Sequence, residues 1–484
     1  MLSGKRRATD EGVRQVVFSS TVFLFIFLPV VWIAHMLIPP KMLWLRNALL
    51  AVASLVFYAY GEPVYIVVMI ASVTVNYFAA LIISKLSGKA RSAVCALAVI
   101  IDIASLCFFK YVPWLVRVID SAAGLSIPVP GFTIPVGISF YTFQILSYVV
   151  DVNSGKTEVQ KSFGALFLYI SFFPQLIAGP IVKYGDICAQ LSSREVTVER
   201  TSLGIRRFIF GLSKKVLVSN TAAILAKAAF EASSPSSLMA WSGAIAYCIQ
   251  LYFDFSGYSD MAIGLASMFG FDLPQNFNYP YFAVTIRDFW KRWHISLTSW
   301  FREYVYIPLG GNRKGRARAI VNRLAVFFLT GLWHGANFTF ILWGMWHGLL
   351  MMLEQTAGFD KLREKKALRP VLRVYTLLAV LLGFVVFNSA SVSSAFSYIG
   401  RMFSFSGNPS DALGYFSPYL VIMMIAGIVF SLPVVPKLRG MFSRDGKLVP
   451  AAEFVSYAVT IPLLAMCVMS LASSSFNPFI YYTF

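Results

Sequence analysis

The chain has 484 residues, 58% of them hydrophobic and only 13% charged, against about 25% charged in soluble globular proteins. Its formal net charge is +19, but the cations sit in short loops between apolar runs, the positive-inside arrangement of membrane proteins. The charge therefore speaks for a lipid bilayer and anionic lipid, with no nucleic-acid partner. Cys95, Cys107, Cys188, Cys248 and Cys467 are scattered through apolar runs. That spacing excludes a disulfide framework and suits small core residues.

Residues 1–15 are polar and charged, and they lack the order of a cleavable signal peptide. They are expected to be a dispensable tail or an over-extended start, ahead of a single membrane domain over 16–484. Apolar runs follow at 17–37, 48–60, 65–83, 93–109, 136–150, 163–177 and 238–253, and again at 320–338, 340–353, 375–387, 419–432 and 455–471. Such recurrence predicts an all-α polytopic membrane protein. Several runs fall short of the roughly 20 residues that a full crossing needs. The run at 136–150, after Pro128, Pro130 and Pro135, is expected to be a half-helix or re-entrant segment, which survives only where protein or water covers it. If the first three runs cross, Lys41, Arg46, Lys85, Lys89 and Arg91 share one side. With residues 1–15 set aside, the N-terminus then lies outside.

Next along the chain, Tyr252-Phe-Asp-Phe-Ser-Gly-Tyr-Ser-Asp places Asp254 and Asp260 at or near membrane depth, where they either line a polar channel or pair with a cation. The stretch 272–318 is the longest polar segment in the middle of the chain. It carries Arg287, Lys291, Arg292, Arg302, Arg313, Lys314, Arg316 and Arg318, and it should be cytoplasmic. Within it Trp290, Trp293, Leu297, Trp300 and Tyr304 recur at spacings of three and four. This predicts an interfacial amphipathic helix over 287–304, aromatic face down and cations among the headgroups. A plain lipid anchor would look the same, but His294 could point inward with the aromatic face. Gly310-Gly-Asn-Arg-Lys-Gly-Arg is glycine-rich and basic without the spacing of a phosphate loop. No cluster of histidine, cysteine and acid has metal-ligand spacing.

His334, one of four histidines, falls inside the apolar run 324–353. An ionisable side chain there is expensive and usually has a task. It lies about 14 residues past the basic block, or roughly 20 Å of helix. A second basic loop at 361–373 returns the chain to the cytoplasm. Thr330, His334 and Asn337 would share one helical face as a narrow polar stripe. A neutral imidazole at that depth can take a proton from a hydroxyl and return it. A structural histidine bonding across helices fits the spacing equally well. His347 shares a face with Trp343 and Met351, which favours helix packing over catalysis, and His35 receives no role.

These stretches also carry a resemblance. Val17-Phe-Ser-Ser, Phe57-Tyr-Ala-Tyr-Gly, Pro135-Val-Gly-Ile-Ser-Phe-Tyr-Thr-Phe-Gln, Phe173-Pro-Gln-Leu-Ile-Ala-Gly-Pro-Ile and Gly211-Leu-Ser-Lys-Lys appear in that order. The Tyr252 motif, Asn276-Phe-Asn-Tyr-Pro-Tyr, the segment 287–309, Gly331-Leu-Trp-His-Gly-Ala and the terminal Phe479-Ile-Tyr-Tyr-Thr-Phe follow. Together they resemble the membrane-bound O-acyltransferase superfamily, and within it the bacterial alginate O-acetyltransferase-like branch. One departure is Phe387-Asn-Ser-Ala, where relatives often carry Phe-Arg-Ala.

The resemblance implies a helical funnel of roughly 10–12 transmembrane helices, with re-entrant and interfacial helices, in a bacterial inner membrane. It implies His334 as the intramembrane catalytic histidine and His294 as its companion. Thr330, Asn337, Asp254, Asp260, Trp333 and His347 would line or support the tunnel. Arg287, Lys291, Arg292, Arg313 and Lys314 would face the donor. The expected chemistry moves a small acyl group, acetyl by analogy, from a cytoplasmic thioester to the outside. The donor would be acetyl-CoA or the phosphopantetheine of an acyl carrier protein, with no tightly bound cofactor. There the group O-acylates a cell-surface polysaccharide, through an extracytoplasmic partner. D-alanyl transfer to teichoic acid from a carrier protein is the alternative within the class. A transporter or lipid-handling channel is the alternative outside it, and would call for internal repeats and paired midplane charges that the sequence lacks.

Overall fold

A computed structural model describes residues 18–443 and 449–473. The expected tail at 1–15 and the terminal Phe479 motif lie outside the described residues. Among those described, the secondary structure is helical, with no strand. Six helical stretches of the described residues are long and apolar enough to cross a membrane: Leu43–Gly61, Ile66–Lys85, Gly88–Ala123, Val198–Glu231, Lys366–Asn388 and Phe454–Ser473. Two shorter apolar helices, Phe23–Leu37 and Pro418–Phe430, accompany them. The chain is an all-α polytopic membrane protein. Its contacts divide into two compact units, one of 1–113, 128–205 and 262–273, the other of 114–127, 206–261 and 274–484.

The first unit is built from α1 (Leu28–Leu37), α2 (Leu43–Gly61), α3 (Ile66–Lys85), most of α4 (Gly88–Ala123), α5 (Ile138–Ser154) and α6 (Phe163–Ser171). Phe18, Phe23, Phe57 and Phe173 gather in one aromatic cluster, with ring centroids 5.0–6.2 Å apart. Some polar groups within the apolar helices find partners that offset the cost of burial. Asp102 Oδ1 accepts from Asn76 Nδ2 (2.9 Å) and Ser72 Oγ (3.1 Å). Arg46 donates twice to the Ile38 carbonyl past the end of α1. The segment expected as a half-helix is the continuous helix α5, buried along nearly its whole length. It starts after Gly137, whose φ of 78° and whose closeness to the Leu176 carbonyl leave no place for a Cβ.

The second unit takes up the chain midway along α7 (Val198–Ser213) and includes a wide π-helical turn at Lys214–Ser219, α8 (Asn220–Glu231) and most of α9 (Ser237–Met268). It continues through α10 (Ile286–Trp290), α11 (Ile295–Phe301), α12 (Gly315–His334), α13 (Phe338–Thr356), α14 (Arg369–Asn388), α15 (Val392–Phe403), α16 (Pro418–Phe430) and α17 (Val449–Ser473). Glycines let backbones touch, as membrane helix pairs favour. Gly211 and Gly257 face each other, and a Cβ on Gly211 would lie 2.6 Å from the Gly257 carbonyl oxygen. In the hairpin of α12 and α13, a Cβ on Gly331 would lie 2.5 Å from the Phe340 carbonyl oxygen, and one on Gly344 would collide with that of Phe327.

Two sequence expectations are corrected here. The segment 287–304 is not one amphipathic helix. α10 ends at Trp290, the chain turns, and α11 begins only after His294, whose φ of 44° and ψ of 55° are left-handed. Trp290, Trp293, Leu297 and Trp300 are buried against protein, so the aromatic spacing reports a core contact rather than a lipid-facing stripe. Nor do Thr330, His334 and Asn337 share a face. α12 stops at His334, Gly335 continues extended, and Asn337 caps α13 by accepting from the Thr339 N–H.

Candidate active site

His334 is the last residue of α12 and only 4% exposed. Aromatic rings enclose it. Trp333 and Trp343 stand edge-on with centroids 4.9 Å from the imidazole, and Phe387 of α14 stands at 5.2 Å. Trp333 also contacts His294 at 5.9 Å, so one indole touches both imidazoles. Phe255, beside Asp254 on α9, presses edge-on against His294 from another direction at 4.6 Å. The two histidines are 40 positions apart in sequence (334 − 294). The fold unites them by breaking the chain at both: His294 in a left-handed turn, His334 at a helix end.

His294 is 1% exposed. A left-handed backbone costs a non-glycine residue roughly 1–3 kcal/mol, and here two facing segments sustain it. The Ile295 N–H donates to the Asn276 carbonyl (2.9 Å), and the Asn278 N–H donates to the Arg292 carbonyl (2.9 Å). The Asn276 side chain completes the clasp. Its Oδ1 lies 3.1 Å from His294 Nδ1 and accepts from the Ser296 N–H (3.3 Å) and Ser296 Oγ (2.8 Å), while its Nδ2 donates to Ser259 Oγ (3.1 Å). His294 Nε2 has no hydrogen-bond partner among the described residues. Burial pushes this imidazole down to about 3, so it is neutral at physiological pH.

α10, which leads into this turn, is anchored at its start. Buried Glu354 of α13 accepts from the Ile286 N–H (2.6 Å) and the Arg287 N–H (3.2 Å). A carboxylate suits a helix N-terminus both as acceptor and as counter-charge.

The remaining expected site residues are dispersed. Thr330 lies one turn before His334 and donates to its own helix at the Val326 carbonyl. Asn337 turns away and donates to the Ala390 carbonyl. His347 is fully buried among Phe289, Trp290 and Trp343, and neither ring nitrogen has a hydrogen-bond partner among the described residues. Asp254 pairs with Lys215 at 2.6 Å, both side chains nearly inaccessible. Asp260 binds Arg207 (2.8 Å) and Lys214 (2.5 Å). Both acids thus take the cation-pairing alternative. Arg287, Lys291, Arg313 and Lys314 are exposed, while Arg292 is half-buried and tied to Asp288 (2.9 Å). The glycine-rich loop is fastened to α12 by Asn322, which donates to the Leu309 and Gly311 carbonyls.

Asn276, Ser296, Ser259, Lys215 and Glu354 were not among the expected site residues. The motifs containing Asn276 and Lys215 were visible in the sequence, but nothing in their spacing indicated what they touch.

The sequence model described as the MBOAT, membrane-bound O-acyltransferase family matches residues 159–393, which include both histidines. The chain is 37% identical to the probable alginate O-acetylase AlgI of Pseudomonas putida, over 97% of this chain and 100% of that protein. It is 42% identical to the probable alginate O-acetylase AlgI of Pseudomonas aeruginosa, over 81% of this chain and 75% of the relative. It is 32% identical to the peptidoglycan O-acetyltransferase of Helicobacter pylori, over 81% and 80% respectively. Together with the polytopic helical fold and the ring-enclosed histidine pair, these matches settle the class: the chain belongs to the membrane-bound O-acyltransferase family and is an O-acyltransferase.

Proposed function

We propose that this enzyme moves an acetyl group from a cytoplasmic thioester across a bacterial inner membrane, for O-acetylation of a cell-surface polysaccharide. The observation that carries this reading is the pair of buried imidazoles meeting one indole, Trp333. The relatives named for alginate and peptidoglycan acetylation support an extracellular polymer as the final acceptor. An extracytoplasmic partner would pass the group to it.

In this reading His334 acts as general base. It takes the proton of an acceptor hydroxyl, whose oxygen attacks the thioester carbonyl carbon. The C–S bond breaks, the imidazolium returns the proton to the departing sulfur, and an ester and a free thiol result. General base catalysis of this kind supplies roughly 10²–10⁴-fold, and alignment of two substrates in a dry site supplies more. Exposed Arg287, Lys291, Arg313 and Lys314 would attract the phosphates of acetyl-CoA or the acidic face of a carrier protein.

The test is transfer of labelled acetyl groups by membranes carrying the wild type or His334→Ala at equal abundance. The variant should be inactive, and full activity from it would refute the mechanism. Parallel trials with an aminoacylated carrier separate acetyl from D-alanyl transfer.

A further inference from the structure

The Asn276 clasp determines where His294 carries its proton. The Ser296 backbone N–H can only donate, so the amide atom 3.3 Å from it must be the oxygen. The opposite flip would set an NH₂ group against that N–H and remove the donor from Ser259 Oγ. The same oxygen lies 3.1 Å from His294 Nδ1. An oxygen already accepting from Ser296 has only acceptor character to offer, so Nδ1 must be the donor. The contact of Ser296 Oγ with Nδ1, at 3.5 Å, fits as well, because that hydroxyl spends its hydrogen on Asn276 at 2.8 Å and turns a lone pair toward the ring.

We infer that Asn276 is a positioning residue: it locks His294 in the tautomer protonated on Nδ1, so that Nε2 presents a lone pair to the reaction. His294 then offers the site a hydrogen-bond acceptor beside the base His334. While neutral, it cannot donate a hydrogen bond to the oxyanion that forms as the acceptor oxygen attacks. The kinetic part of this inference rests on the acyl-transfer reading above. The tautomer itself does not.

Two arms test it on the full chain in membranes or nanodiscs. In the first, acetyl transfer from acetyl-CoA is followed for Asn276→Asp, Asn276→Leu and Asn276→Ala. Aspartate keeps the acceptor for both Nδ1–H and the Ser296 N–H, so kcat should stay within about fivefold of wild type. Leucine and alanine release the ring's orientation as well as its tautomer, so kcat should fall about 10²-fold, at unchanged KM for the donor. A merely structural asparagine would instead lower the amount of folded protein, or raise KM, in all three variants. In the second arm, ring ¹⁵N resonances of histidine-labelled wild type are recorded, with His294 assigned by its loss in His294→Gln. Protonation on Nδ1 is expected. Protonation on Nε2, or an Asn276→Leu enzyme as fast as Asn276→Asp, overturns the inference. If wild-type membranes transfer no acetyl group, the functional reading fails and the resonance still decides the tautomer.

Discussion

Replacing His334 by alanine removes more than a base. It also opens a hole among Trp333, Trp343 and Phe387, whose rings stand 4.9–5.2 Å from the imidazole, and a buried cavity destabilises its surroundings. His334→Gln fills most of that volume without a titratable nitrogen. It should elute as the wild type does on size exclusion and lose transfer by about 10²–10⁴-fold. Near-normal transfer by the glutamine variant would mean that His334 packs and does no chemistry. His334 was legible from sequence because an ionisable residue in an apolar run stands out. Asn276 was not, since an asparagine between Pro274 and Pro280 and before a basic stretch reads as ordinary loop. Its partners His294, Ser296 and Ser259 come from two separate stretches, and helical spacing carries no information about such contacts.

Among the six membrane-length stretches of the described residues, the one the sequence hid is Val198–Glu231. Arg206, Arg207, Lys214, Lys215 and Lys227 interrupt its apolar pattern. The interruption disappears in three dimensions, where Lys215 meets Asp254 and Lys214 and Arg207 meet Asp260. Lys215→Met should cost about 3–5 kcal/mol, because it strands a buried carboxylate. The double variant Lys215→Met/Asp254→Leu should recover most of that loss, as read from thermal unfolding in detergent. The α12–α13 hairpin makes a second prediction. Gly344→Ala forces a methyl group against the Phe327 carbonyl and should destabilise by about 1–3 kcal/mol, while the exposed glycine Gly400, with open space around it, should accept alanine freely. The 287–304 segment failed as a continuous helix for a different reason. Aromatic spacing of three and four is indifferent to a break, and the left-handed turn at His294 is imposed by Asn276 and Asn278 from outside the segment.

For the whole molecule, class and helical architecture were readable because 58% hydrophobic composition and ordered motifs act over the full length, whereas the site depends on a few contacts between loops. Both histidines and every residue found touching them fall in the second compact unit. Deleting the gene in its own host and measuring alkali-labile acetate on each surface polymer should show loss from one polymer. Restoration by the wild-type chain but not by His334→Gln would link that loss to the site. Acetate unchanged on all polymers would argue against the proposed acceptor class.

The π-helical turn at Lys214–Ser219 acts as a phase setter. A wide turn holds one residue more than the α-helical pitch requires, and so rotates all that precedes it by about 100°. Shortening this turn by one residue would regularise the helix and swing Arg207, Lys214 and the Gly211 contact surface off α9 together. A deletion that improves local geometry should therefore disrupt the protein more than the loss of either lysine side chain.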